Sequence, residues 1–247
     1  MIKRYFEEFG GRVTAGYTTD CGGSFHHNCE EDFKNYEFVA GQLGTKAEYM
    51  IRIIQKHTDN ILTVTTENAG DGVIRRGTGD HYDGMITNTP GIMPCVITAD
   101  CVPVFLYDEA LGAAGLIHSG RAGTIKNIAG KAVRRMREEF GCDAKNIHAV
   151  LGPCICKDHH EVNVCDVEGF SEHFTKEEQA QFIEFRNEKA YVDMHAAIRI
   201  ALKKEGLSDE NITADDTCTF ENTELYSWRR EHNREKHIMS FIEINKK

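Results

Sequence analysis

Three short apolar runs, residues 95–98, 102–107 and 113–118, follow one another almost without a gap. Each is too short for a typical helix, and all three read as buried strands. Cys101 falls between the first two runs and His118 ends the third. Three of the four prolines, Pro90, Pro94 and Pro103, crowd the same stretch.

Other segments surround these strands. Residues 45–57 carry Ala47, Met50, Ile51 and Ile54 at helical spacing, with Thr45 as a cap, which predicts a helix ending just before His57. Residues 126–140 place Ile128, Ala129, Ala132, Val133, Met136 and Phe140 on one face, closed by Gly141. Thr175 and Glu178 have the spacing of a capping box, and residues 193–205 read as a helix between Asp193 and Gly206. Residues 61–66, 147–151 and 239–244 read as strands, the first forty residues as short strands with a polar loop at 18–31, and residues 70–84 as a long polar loop. Strands and helices mix without strict alternation, and no repeat or linker interrupts the 247 residues. The expectation is an α+β fold: a single domain, 1–247, with mixed β-sheets packed between helical layers.

Charge narrows the partners. With 39 acidic and 29 basic residues the net charge is -10, and no run of Lys and Arg forms a basic face. Nucleic acid and anionic membrane are therefore not expected as partners. No apolar stretch reaches the length of a spanning helix, and the opening MIKRYFEEFG has acids where a signal peptide needs an apolar core. A cytoplasmic location is expected. Nine cysteines in no regular framework fit reduced thiols or ligands.

The chemistry concentrates in Ile97-Thr-Ala-Asp-Cys-Val-Pro-Val104 and Ile117-His-Ser-Gly-Arg-Ala-Gly-Thr124. Strand ends that break into Gly-containing turns free side chains to face a cleft. His57, Cys101 and His118, from three separate elements, could hold zinc with a fourth position open. Spacing alone leaves alternatives, because no CxxC or HxxxH anchors the trio. Cys101 could be a core thiol, or a nucleophile with His118 as its base.

These motifs, followed by GPCI at 152–155, DDTCT at 215–219 and SWRRE at 227–231, resemble the YfiH family, also described as multicopper polyphenol oxidase or laccase-domain proteins. Gln55-Lys56-His57 looks like the family's Gln-x-His motif, and Asp83-Gly-Met-Ile-Thr87 like its Asp-led strand. His160-Glu161-Val162 and Tyr191-Val-Asp193-Met match in the same order, so the resemblance runs from about Gly16 to the C-terminus. It implies the family's α+β fold and zinc on His57, Cys101 and His118, with copper the second choice. It also implies phosphorolysis of adenosine, inosine or methylthioadenosine, or deamination of adenosine. A purine nucleoside, and phosphate where that is the acceptor, are the implied partners; oligomeric state stays open. Asp100 joins the trio as a catalytic candidate, and Asn28, Gln55, Arg121, Arg229 and Arg230 are the implied substrate contacts.

Some positions depart from the family. His-Ala-Gly-Trp-Arg-Gly reads His118-Ser-Gly-Arg-Ala-Gly123 here, and an N-terminal Ser-Thr-Arg-x-Gly-Gly reads Thr18-Thr-Asp-Cys-Gly-Gly23. The Asn inside the Asp-led helix is Ile198. Two arginines near the site are thus missing, and Arg is the usual bidentate partner of phosphate. Arg121 would have to reach in from the neighbouring position. A second metal set, Cys154, Cys156, His159 and His160, is conceivable, although Cys-x-Cys lacks the two-residue spacer of zinc knuckles. Three readings remain: a zinc-dependent purine nucleoside enzyme, a metal-independent cysteine hydrolase or deamidase on Cys101 and His118, and a weakened nucleoside-binding paralogue. A copper oxidase fits less well, since no His-x-His pair occurs for a trinuclear cluster.

Overall fold

The computed structural model describes residues 2–19, 24–25, 30–77, 79–233 and 236–246. In chain order the early strands are β1 (Ile2–Tyr5), β2 (Val13–Thr18), β3 (Met50–Arg52), β4 (Ile61–Thr63) and β5 (Gly84–Thr87). The central ones are β6 (Met93–Thr98), β7 (Val102–Asp108), β8 (Ala113–Ser119) and β9 (Ile147–Leu151). Then come β10 (Glu161–Asn163), β11 (Ile183–Arg186), β12 (Lys189–Val192), β13 (Ile212–Ala214) and β14 (Ile238–Ile244). The helices are α1 (Glu30–Leu43), α2 (Arg121–Ile125), α3 (Ile128–Phe140), α4 (Lys176–Phe182), α5 (Met194–Lys204) and α6 (Trp228–Glu231).

One large sheet has the order β1-β2-β14-β6-β3 and the other β13-β9-β7-β8-β5-β4, with a small antiparallel sheet β10-β12-β11 beside them. Both large sheets mix parallel and antiparallel neighbours: β3 runs parallel to β6 and β4 to β5, while β7 is antiparallel to β8. Phe105 and Tyr107 of β7 meet Ala15, Val96 and Ile242 of the facing sheet. Val102, Val104 and Leu106, on the opposite side of the same strand, pack with Ala132, Val133 and Met136 of α3 and Ala201 and Leu202 of α5. Tyr36, Val39 and Ala40 of α1 cover the outer face of the first sheet at Met93, Cys95 and Phe241. The mixed sheets therefore lie between helical layers, as expected, and the three apolar runs are strands buried on both faces.

Two elements differ from the sequence reading. Residues 45–57 form no helix: a 3-10 turn, Ala47–Tyr49, leads into β3. Met50 faces the α1 side and Ile51 and Ile53 the space between the sheets, so burial on two faces imitates helical spacing. β-branched Ile at 51, 53 and 54 favours the strand. Conversely, α1 occupies a stretch read as strand and loop. Phe33, Tyr36, Ala40 and Leu43 give it an apolar stripe at intervals of three and four.

The sheets are tied across their ends by Asp215, which follows β13. Its carboxylate accepts from Tyr5 Oη at 2.7 Å, Tyr17 Oη at 3.1 Å and Thr217 Oγ1 at 2.6 Å, and meets Lys3 Nζ at 2.9 Å. Burial opposes its charge, but Thr217, Lys3 and Tyr5 outweigh burial and hold the carboxyl well below the usual range. A depressed carboxyl stabilises the fold above its unfolded pKa, and that stability is lost as pH falls toward the lower folded value. Asp215→Ala should cost about 2–4 kcal/mol at pH 7, because two tyrosine hydroxyls lose their acceptor. Urea denaturation should show the gap to wild type narrowing below about pH 4. A constant gap down to pH 3 would count against this network as its source.

Candidate metal centre

The chain crosses from the first large sheet to the second between β6 and β7, and Cys101 sits at that crossing. Asp100 before it has φ 87°, a left-handed conformation unusual for a side-chain-bearing residue. Three bonds hold it there. Its carbonyl accepts from Ile155 N at 3.0 Å, and its carboxylate accepts Thr219 Oγ1 and Arg229 N, both at 2.7 Å.

His57 lies in the loop between β3 and β4 rather than at a helix end, also with positive φ, 58°. That loop wraps one carboxylate. Asp83, just before β5, accepts from Lys56 N (3.2 Å), His57 N (3.0 Å), Thr58 N (2.6 Å) and Thr58 Oγ1 (2.8 Å). It also meets His118 Nδ1 at 2.8 Å. One buried acid thus positions two of the three expected ligands. His118 is left with Nε2 to face Cys101, the carboxylate–histidine arrangement that orients imidazole ligands.

The donor atoms of His57, Cys101 and His118 lie within 4.8 Å of one another. His57 Nε2 is 3.7 Å from Cys101 Sγ, and the two imidazoles meet edge to face at 4.9 Å. The electrostatics fit. Burial would raise the Cys101 thiol, but His118 and His57 outweigh it and lower its pKa to about 6. Burial would lower His118, but Cys101 and Asp83 raise it to about 9. Asp83 itself is desolvated, yet His118 and Thr58 hold it at about 2. Gly120, ahead of α2, completes the wall: a Cβ there would stand 2.7 Å from Cys101 Sγ and 2.8 Å from His57 Cδ2.

The remaining expected residues divide. Gln55 does not face the centre: its amide donates to Ile97 O at 2.7 Å and accepts Ile97 N at 2.8 Å, extending the β3–β6 pairing. Arg229 binds the carbonyls of His159 and Glu161, and Arg230 those of Thr219, Phe220 and Leu225, so both guanidinium groups tie loops together. Arg121 pairs with Asp166 at 2.8 Å. The Asp100 carboxylate is turned into the 219–229 segment, which makes it a positioning group for Cys101. Asn28 and Asp20 lie outside the described residues.

Of the second set, only Cys156 and His159 come together. Cys154 Sγ faces His195 Nε2 at 3.3 Å, and His160 Nδ1 faces Val192 O at 3.0 Å. Sequence reasoning missed Asp83 as a site residue, although an acid opening an apolar strand was a usable signal. It also missed Cys218 and Glu221, which join Cys156 and His159.

The profile described as "Multi-copper polyphenol oxidoreductase laccase" matches residues 6–245. "Purine nucleoside phosphorylase YlmD" of Bacillus subtilis is 28% identical over 250 residues, covering 93% of this chain and 88% of that protein. "Adenosine deaminase RL5", from an unknown prokaryotic organism, is 32% identical, covering 78% of this chain and 74% of its own. The crystal structure of the Bacillus licheniformis hypothetical protein YfiH superposes with TM-score 0.90 at 27% identity, covering 97% of this chain and 95% of that one. A profile match over nearly the whole length, joined to this likeness of fold, places the chain in the multi-copper polyphenol oxidoreductase laccase family.

Proposed function

We propose that this chain is a zinc-dependent enzyme of purine nucleosides, cleaving them with phosphate or deaminating adenosine. The observation that carries this reading is the trio His57, Cys101 and His118, with His118 oriented by Asp83. Relatives named purine nucleoside phosphorylase and adenosine deaminase support the substrate class. One thiolate and two imidazoles are a donor set that suits zinc and leaves a position open. Copper would accept the same three, but a multicopper oxidase needs further histidine ligands. Among the described residues the other donor cluster is Cys156, His159, Cys218 and Glu221, which does not supply them.

Bound zinc would supply a Lewis acid that polarises the attacking oxygen of water or phosphate. The protein's part is to orient. Asp83 fixes the ring and the protonation of His118 and holds the His57 loop. Asp100, pinned by Ile155, Thr219 and Arg229, sets the direction from which Cys101 approaches. We assign the whole chain, 1–247, to one catalytic domain acting in the cytoplasm, with a purine nucleoside as its partner and no nucleic acid or membrane. No helix among the described residues is long and apolar enough to cross a membrane.

One observation favours a second reading. Asp83, His118 and Cys101 stand in the order of an acid–base–nucleophile triad, with the thiol lowered to about 6. Turnover of adenosine, inosine and methylthioadenosine after chelation, and again after zinc is returned, separates the two. Zinc dependence predicts loss and recovery. Full turnover without metal, abolished by thiol alkylation, would replace the zinc reading with the triad.

A further inference from the structure

A second cluster of donors lies on the far side of Asp100. Cys156 and His159 come from the turn after β9, and Cys218 and Glu221 from the segment between β13 and α6. Each pair is separated by two residues, the spacing that lets neighbouring side chains of one turn grip one ion. Their donor atoms all lie within 4.8 Å of one another. His159 Nδ1 is 3.2 Å from Cys156 Sγ, 3.9 Å from Cys218 Sγ and 3.4 Å from Glu221 Oε1. Cys156 Sγ is 4.0 Å from Glu221 Oε1. Bond lengths of about 2.3 Å to sulfur and about 2.0 Å to nitrogen or oxygen give tetrahedral edges of roughly 3.3–3.6 Å from nitrogen to oxygen or sulfur. The cluster brackets those values.

The backbone around it is already fixed. Cys156 N donates to Cys218 Sγ at 3.2 Å, and Thr219 N to Cys154 O at 2.9 Å. Phe220 stacks on the His159 ring at 4.3 Å, and Arg229 holds the His159 carbonyl. A plain hydrogen-bonded thiol pair would need none of this convergence from two loops, nor a carboxylate closing the fourth corner.

We propose that Cys156, His159, Cys218 and Glu221 form a second, structural zinc site, distinct from the trio on His57, Cys101 and His118. Two thiolates, an imidazole and a carboxylate fill a tetrahedral shell, which marks a structural ion. Its place suggests its task. Ile155 and Thr219, which grip Asp100, are each next to a ligand, Cys156 and Cys218. An ion there ties both loops and so fixes the left-handed turn that presents Cys101.

The test uses the full chain, purified with zinc under reducing conditions and desalted. Elemental analysis should give about two zinc ions per wild-type chain and about one in Cys101→Ser, one per four-donor or three-donor site. Adding His159→Gln or Glu221→Gln to Cys101→Ser should remove the remaining ion. Glu221 is exposed and His159 half-buried, and neither belongs to the hydrophobic core; each change should weaken binding beyond the 10–100-fold typical of outer-shell changes. Cobalt(II) in Cys101→Ser should show a thiolate-to-metal charge-transfer band that Cys218→Ser weakens. One zinc per wild-type chain and none in Cys101→Ser would overturn the proposal. So would a Cys156–Cys218 disulfide in the reduced preparation, or a cobalt band indifferent to His159→Gln and Glu221→Gln.

Discussion

Cys101→Ser is expected to empty the first metal centre and to lower kcat/KM on purine nucleosides by about a thousandfold, the scale of losing the main electrostatic element of a site. A serine hydroxyl is a poor zinc ligand at neutral pH, and two imidazoles alone hold the ion weakly. Asp83→Asn should be milder, about 10–100-fold in metal affinity, because His118 survives without its orienting charge. The pH dependence has a definite sign. Metal needs Cys101 deprotonated and the donor nitrogens of both His57 and His118 free of protons. From pH 9 down to about 6 the proton on His118 competes with the ion, so apparent affinity should fall by at least about tenfold per pH unit. Below about 6 Cys101 takes up a further proton, and the fall should steepen to at least about a hundredfold per unit. Competition against a chromogenic chelator between pH 5 and 9 measures this slope. Metal retained at pH 4, or full occupancy in Cys101→Ser at the first site, would mean that other residues are the ligands.

The central strands were legible because burial on both faces leaves a continuous apolar run that no surface helix shows. The helix at residues 128–140 was legible for the opposite reason: one apolar stripe and a glycine stop. The stretch around Met50 misled because two buried faces of a strand reproduce helical spacing, and only its β-branched content argues otherwise. The metal trio was reached by resemblance, since its members come from two loops and the end of β8, whose approach depends on the packing of two sheets. Asp83 illustrates what a chain of letters hides. Its five partners include three successive backbone amides, which carry no side-chain signature. The arginines at 229 and 230 show the converse, because the resemblance implied substrate contacts for them while the fold bonds both side chains to backbone carbonyls that no sequence pattern announces.

The same arginines bear on the choice between phosphate and water, and the expected result is that this protein favours water. Ala122 stands in α2 where the family pattern sets an arginine, and Arg121 beside it is paired with Asp166. Arg229 and Arg230 are engaged with backbone carbonyls. A phosphate dianion brought to the centre would therefore find these three guanidinium forks already committed. Each missing charge-assisted bond costs about 1.5–3 kcal/mol, so two should slow phosphorolysis by roughly two to four powers of ten relative to a relative that has them. Deamination would draw on a metal that polarises water and on the groups that orient its ligands, none of them these arginines, and should lose little. Adenosine supplied with phosphate should then give mainly inosine, with adenine and ribose 1-phosphate minor. Two substitutions should reverse the ratio by different routes. Ala122→Arg restores the side chain in place, and Asp166→Ala releases Arg121 from its partner. Chromatography of products with and without phosphate reads both. If adenine and ribose 1-phosphate dominate in the wild type, and neither substitution raises their share, phosphate is bound by groups other than these arginines and the protein is a plain phosphorylase.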